Sequence, residues 1–259
     1  MDLLAPIDAS GNYVPGPLVP IEEVHRKAIL HRGLWLHVMS SDHSLLVMRR
    51  AATMATCPSL RSIIGEHHSG REHDDHCAKR ALREELPGLA RAFGSMLIPV
   101  RLRERPRWFL YDYAPSNKIS RFDRCLITEY LLFLPANAST SLAALRAGRD
   151  HEVEHEASDM VFVPIHELRH ELQNSSGDKF CAQELLAPSL LDTLDDICRL
   201  VLQKELNRPT ASLDIVHVAG CRSHRERPLR PAMREALDLL CVIREGQNRE
   251  ARRACKTAG

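Results

Sequence analysis

The sequence predicts a mixed α/β domain followed by a helical C-terminal extension, and three observations predict it. Short runs rich in apolar, β-branched and aromatic residues recur between residues 34 and 164, as strands do. One stretch inside that region changes period, with Ala78, Leu82 and Leu86 four residues apart on a helical stripe. Past residue 165 helical spacing takes over, for example Leu190, Leu194, Ile197 and Val201.

Residues 9–20, "ASGNYVPGPLVP", are turn-rich and read as a lead-in. "LWLHVM" (34–39) and "LLVMRR" (45–50) flank the polar turn "SSDHS" and read as a hairpin. "LRSIIG" (60–65), "GSMLIPVRLR" (94–103), "WFLYDYA" (108–114), "RCLITEYLLFLP" (124–135) and "DMVFVP" (159–164) are further strand candidates. The helix within this series runs from about residue 73 to 86, with Asp74 and Asp75 at the positive end of its dipole and Pro87-Gly88 as its stop. Segments 188–206 and 230–254 read as two later helices. The chain thus divides into a lead-in (1–24), a core domain (25–170) and a mainly helical extension (171–259).

Composition excludes several classes of function. A chain of 259 residues, 44% hydrophobic and 27% charged, suits a soluble globular protein. Thirty-five basic against 34 acidic residues give a net charge of +1, so no nucleic-acid partner is expected. No apolar run is long enough to span a bilayer, so no membrane partner is expected either. The start, "MDLLAPIDASG", has neither secretory nor mitochondrial character, and a cytoplasmic location is expected. Eight cysteines without a Cys-x-x-Cys pair read as reduced thiols. His67, His68, His73 and His76 with Cys77 follow no standard zinc spacing.

The chemistry is concentrated in "GEHHSGREHDDHCAKRALREEL", residues 65–86. Glu84 and Glu85 lie about 100° apart around a helix, with Ala81 one turn earlier between them. Carboxylates along one helix edge suit a hard cation such as Mg²⁺, which keeps waters and accepts phosphate oxygens. The segment resembles the Nudix box, Gly-x5-Glu-x7-Arg-Glu-U-x-Glu-Glu-x-Gly-U, where U is bulky and apolar. Glu72, Arg80, Leu82, Glu84 and Glu85 match it. The opening Gly falls on Glu66, beside Gly65; Ala81 replaces the first Glu of the Arg-Glu pair; Pro87 and Gly88 replace the closing pair. The flanks "VHRKAILHRGLWLHVM…LLVMRR", "CPSLRSIIGEHHSGRE", "ITEYLLFL" and "SDMVFVPIHEL" are similar to the Nudix branch related to isopentenyl-diphosphate isomerase. The resemblance covers roughly residues 7–170.

This resemblance implies a Nudix α/β/α sandwich with a mixed sheet. It also implies a hydrolase that uses Mg²⁺ (or Mn²⁺) to cleave a diphosphate linkage in a small molecule, such as a nucleoside diphosphate derivative. Glu84, Glu85, Glu72 and His67 would hold the metal. Glu85 and Glu84 would serve catalysis with Arg80, which orients them, and Glu129, as ligand or base. Arg49 and Arg50, at the end of a strand, would contact substrate phosphates. Lys118, Arg121, Arg124 and the run 101–107 are further basic groups, as readily solvated as bound to phosphate. With Ala81 in the box, a base would have to come from elsewhere, from Glu129 or from the loop "DHEVEHE" (150–156), although Glu152, Glu154 and Glu156 read more readily as solvent-facing loop charges.

Two alternatives accompany the hydrolase. In an isomerase-like enzyme, His31 and His67 would align with metal ligands and Glu129 with a catalytic glutamate. Gly65, however, stands in place of the reactive cysteine and Ile127 in place of a second glutamate. A diphosphate-binding module without catalysis is the other alternative, motivated by Ala81. On residue type alone, His25 and His31 read as fold or surface residues. The last helices have three candidate uses: packing on the domain, covering its cleft, or forming a homodimer surface.

Overall fold

In the computed structural model the described residues are 2–54, 56–113, 121–138, 145, 157–174, 180 and 190–200. Strand β3 (His31–Met39) is buried at every residue but Arg32, so it needs cover on both faces and lies within the sheet. It pairs in parallel with β9 (Phe122–Phe133), in a register running from His31↔Cys125 to Met39↔Phe133. On the other side stands β4 (Ser44–Arg50), but the expected hairpin is paired only at Met39↔Leu45 before the two strands part.

The fork between them is filled by the next stretch of chain. β5 (Arg61–Ser62) pairs with β4, and β6 (Ile64–His67) pairs with β3 from Leu36↔Ile64 to Gly33↔His67. β10 (Ala157–Pro164) lies antiparallel on the outer side of β4. β7 (Val100–Arg101) and β8 (Arg107–Asp112) pair along the far edge of β9. The strand expected over 94–103 is reduced to β7, because a 3₁₀ turn occupies Gly94–Met96 and Pro99 has no N–H for a ladder. A small separate pair joins β1 (Leu3–Leu4) to β2 (Val19–Pro20), which leads into α1 (Ile21–Arg26).

Helix α2 (Asp74–Glu85) lays Cys77, Ala78, Ala81 and Leu82 into the same core as Leu34, Leu36, Val38, Tyr130 and Leu132. Its first turn is tied to β9: Thr128 Oγ1 donates to Asp74 (3.0 Å) and the Tyr130 hydroxyl to Asp75 (2.6 Å). Pro87-Gly88 ends α2 as expected, yet Pro87 also opens α3 (Pro87–Phe93), where its missing N–H would have had no helical partner. α4 (Ile165–Asn174) buries Ile165, Leu168 and Leu172. A mixed sheet with helices packed on it is the α/β class expected.

The chain forms two compact units, residues 1–191 and 192–259. Residues 190–200 are helical, and Leu194 and Ile197 are buried. Val201, the helix expected over 230–254, Lys118 and the segment 150–156 with Glu152, Glu154 and Glu156 lie outside the described residues.

The fork leaves no room at Gly33. A Cβ there would lie 2.7 Å from Cys125 Sγ and 2.9 Å from the Glu66 carbonyl oxygen. At Gly65 the nearest atom would be Trp35 Cδ1, at an ordinary 3.5 Å. Gly33→Ala is therefore expected to lose about 1–3 kcal/mol in urea unfolding, and Gly65→Ala no more than about 0.5 kcal/mol. Equal costs would show that the fork relaxes around an added methyl group.

Candidate metal centre and cleft

The parted strands open a cleft lined from α1, β3, β6, α2 and β9. Strand alternation sorts its lining onto two faces of the sheet. Leu34 and Glu66 point to the α2 side, whereas Gly33, Trp35 and His67 belong to the opposite face. The parallel register places Cys125 level with His31, and Asp123 shares its face of β9. His67 arrives from β6 and His25 from α1.

These residues converge. One donor atom from each of His25, His31, His67 and Asp123 lies within 4.8 Å of the others. The His31 and His67 rings stack at 5.0 Å, and His25 stands edge-on to both, at 5.4 Å and 5.1 Å. His31 Nδ1 donates to the Ile29 carbonyl (2.9 Å), because a carbonyl can only accept, so Nε2 is left as a lone pair turned to the cluster. Both His25 nitrogens, His31 Nε2, His67 Nε2 and Asp123 Oδ1 are buried without a hydrogen bond. His31 Nε2 and Asp123 Oδ1 approach only to 3.5 Å.

Burial dominates the electrostatics. It pushes His25 down to about 3, with Arg121 and His31 adding to the shift, and it drives His67 well below its ordinary value, helped by His31, His25 and Arg121. Burial raises Asp123 to about 7 against the pull of Arg121 and Arg124. Such orphaned buried polar atoms are rare in folded proteins and call for a partner. Three neutral imidazoles and a carboxylate fit a divalent transition metal: donors about 2.1 Å from one ion lie up to about 4 Å apart, so a small closure suffices.

Arg80 organises the α2 side. Its guanidinium donates to Glu72 (2.6 Å), Glu84 (2.8 Å) and the His67 carbonyl (2.6 Å), and it lies 3.4 Å from Glu66. It thus bolts the helix to the strand that carries His67. Burial would raise Glu72, but hydrogen bonds from Arg80, the Ser69 N–H and His76 outweigh it and hold the carboxyl at about 2. Glu84 is half exposed, whereas Glu85 is 6% exposed and lines the cleft. Glu66 lines it too. Burial lifts Glu66 to about 7 against Arg80 and the His67 N–H, with Glu85 and Glu84 pushing the same way.

The expected residues are therefore only partly brought together. His67, Glu85 and Arg50 line the cleft, Arg50 while bonded to the Thr56 carbonyl (2.9 Å) and hydroxyl (3.0 Å). Arg49, one residue away, turns outward to the Ser59 carbonyl. Glu129 is not in the cluster. Six residues beyond Asp123, about 20 Å along an extended strand, it is buried with His37, Arg103 and Arg107. His25, Asp123 and Glu66 were not anticipated as site residues. The spacing His25-x5-His31 was a visible signal; Asp123 needed the strand register. An aromatic row, Trp35–Phe109–Tyr111–Tyr113, has neighbouring centroids 4.7–6.1 Å apart, and Trp35, Phe109 and Tyr113 of it line the cleft.

No family model matches the sequence, and no curated protein matches it. Among solved structures, the chain is similar to DR0079 from Deinococcus radiodurans, at 14% identity over 75% of this chain and 98% of that one, with a TM-score of 0.49. It is also similar to a mutT/nudix family protein from Listeria innocua (13%, 68% and 96%, 0.39). A third is the dihydroneopterin triphosphate pyrophosphohydrolase of E. coli (14%, 54% and 86%, 0.36).

The two kinds of group in the cluster predict opposite pH slopes. His25 resists protonation in the fold but takes a proton when unfolded, so its contribution to stability falls as pH drops from 6.5 toward 3. Asp123 resists ionisation in the fold, so its contribution falls as pH rises from 3.8 toward 7. Relative to wild type, His25→Gln should gain stability toward acid and Asp123→Asn toward neutrality, measured by urea unfolding in chelator from pH 4.5 to 7.5. Parallel curves for all three proteins would contradict the buried cluster.

Proposed function

We propose that the chain is a Nudix-type hydrolase that cleaves a diphosphate linkage in a small molecule and depends on a divalent metal. The observation that carries this reading is the set of buried donors of His25, His31, His67 and Asp123, unpartnered and facing a cleft that also holds Glu66 and Glu85. The imidazole-rich set favours Mn²⁺ or another transition metal over Mg²⁺, which suits the carboxylates of the α2 side. When bound, a divalent ion supplies charge to a diphosphate and lowers the pKa of an attached water.

The protein's own groups supply the rest. Glu85, buried at the rim of the cleft, is the box carboxylate placed to accept a proton from an attacking water. Arg50 reaches the same space as a phosphate contact. Arg80 positions Glu72, Glu84 and the His67 carbonyl. Ala81 is 0% exposed inside the core, so a carboxylate there would have to displace apolar packing. Glu66, from β6, brings a carboxyl to the same edge of α2.

The isomerase-like reading is favoured by the imidazole-rich cluster and the aromatic wall. Against it stand Gly65 where a cysteine is needed and Glu129 far from the cluster. Turnover of nucleoside diphosphate derivatives, dinucleotides and isoprenoid diphosphates, with Mg²⁺, Mn²⁺ or chelator, separates the readings. Cleavage of the diphosphate linkage, read as two phosphate-ended products (or one and inorganic phosphate from an isoprenoid diphosphate), lost in chelator and reduced about 100-fold or more by Glu85→Gln, is expected. A shifted double bond without phosphate release would favour the isomerase. Metal-dependent binding without turnover of any compound would favour the binding module.

A further inference from the structure

Arg121 sits in an unusual place for a cation. It lines the cleft beside His25, His67 and Asp123, and its charge acts on all three. Its carbonyl oxygen accepts from the Tyr113 N–H (2.8 Å), which fixes the backbone, but its guanidinium has no hydrogen bond or ion pair among the described residues. Asp123, two residues on, does not pair with it within 4 Å and keeps Oδ1 without a hydrogen bond. Arg124, by contrast, bonds the Tyr111 carbonyl and lies over the Phe122 ring.

The charges around the cluster then do not balance once a metal is held there. Within the donor set three imidazoles are neutral and Asp123 contributes one negative charge, so a divalent ion leaves that set net positive beside the Arg121 guanidinium, while Glu66 and Glu85 line the cleft from the α2 side. Two like charges that face each other at the edge of a buried cluster repel. An anion bridging the two removes the repulsion and satisfies a planar donor suited to phosphate oxygens.

Resting on the reading of His25, His31, His67 and Asp123 as a metal centre, we propose that Arg121 couples that centre to a phosphoryl group, so that metal and phosphate bind as a pair. Alone, the metal is held back by the guanidinium. With a phosphoryl group present, the same guanidinium holds the anion against the metal. Coupling of this kind is reciprocal: whatever factor phosphate gives the metal, the metal gives phosphate. A substrate carrying its phosphates would load together with its ion, and an organic compound without them would gain nothing from it.

The test is Mn²⁺ binding to the full-length protein, followed by the paramagnetic resonance signal of free Mn²⁺, with and without inorganic phosphate. In wild type, phosphate should tighten Mn²⁺ by about 10-fold or more, within the range of ordinary linked sites. Arg121→Gln should move two quantities in opposite directions. Mn²⁺ alone binds tighter, by about threefold or more, while the phosphate effect shrinks to under about threefold. Arg121→Lys keeps the weak binding of Mn²⁺ alone and part of the phosphate effect. A residue that merely held the fold together would weaken both. If His67→Asn leaves Mn²⁺ binding unchanged, the metal-centre reading falls and this proposal with it. If His67→Asn abolishes binding but Arg121→Gln changes neither quantity, the metal centre stands and the coupling is overturned.

Discussion

The parallel pairing of β3 with β9 is the constraint on which the rest depends. Parallel register sets His31 level with Cys125 and brings the face of β9 that carries Asp123 to the same end of the sheet. Because side chains alternate, the same register commits Leu34, Leu36, Tyr130 and Leu132 to the core beneath α2. A slip of one residue would turn His31 into that core and the leucines into the cleft. The cluster and the core are thus two faces of one register, and neither can move without the other.

The fork follows from the same strand. β3 is occupied by β9 on one edge along its whole length, so β4 can join it only at Met39 before β6 takes over the other edge. That handover brings His67 beside Gly33 and Glu66 toward α2. Arg80 then secures the result, since one guanidinium holds the His67 carbonyl and the buried carboxylate of Glu72. A charge-assisted contact at a largely buried site matters in a way that exposed pairs such as Lys27–Glu23 do not. Arg80 therefore acts on the cluster of His25, His31, His67 and Asp123 through the backbone of the strand that carries His67.

How much of this was legible depended on the range of the interaction. α2, its acidic first turn and its stop at Pro87 were readable because they rest on spacing within a few residues. The strands β4, β9 and β10 were readable to within a few residues for the same reason. The restart of a helix at Pro87 was missed because proline ends one helix and begins another equally well. Among the residues that line the cleft, His67, Glu85 and Arg50 are the ones that stand out in sequence, by position in a motif or at a strand end. Asp123 could not, since its value lies wholly in which strand β9 pairs with and in which direction. The same lack of register made Glu129 look like a member of the site. It is the right residue type on the right face, too far along the strand.

Ala81 on α2 and Glu66 on β6 share one physical cause in the packing of helix on sheet. With alanine at 81, the helix can lie directly on Leu34 and Leu36, and its apolar face runs unbroken from Cys77 to Leu82. That close approach removes the space a carboxylate at 81 would need. It also sets β6 against the edge of α2, where a side chain at position 66 reaches Arg80 and the cleft. A glycine at 66 would leave Arg80 with one carboxylate fewer at that edge. Glu66 brings to that side of the cleft a carboxyl that burial lifts to about 7, on a strand that Arg80 holds through the His67 carbonyl. Ala81 and Glu66 are therefore two sides of one packing arrangement, the small residue letting the helix down onto the sheet and the carboxyl filling the edge that this brings together.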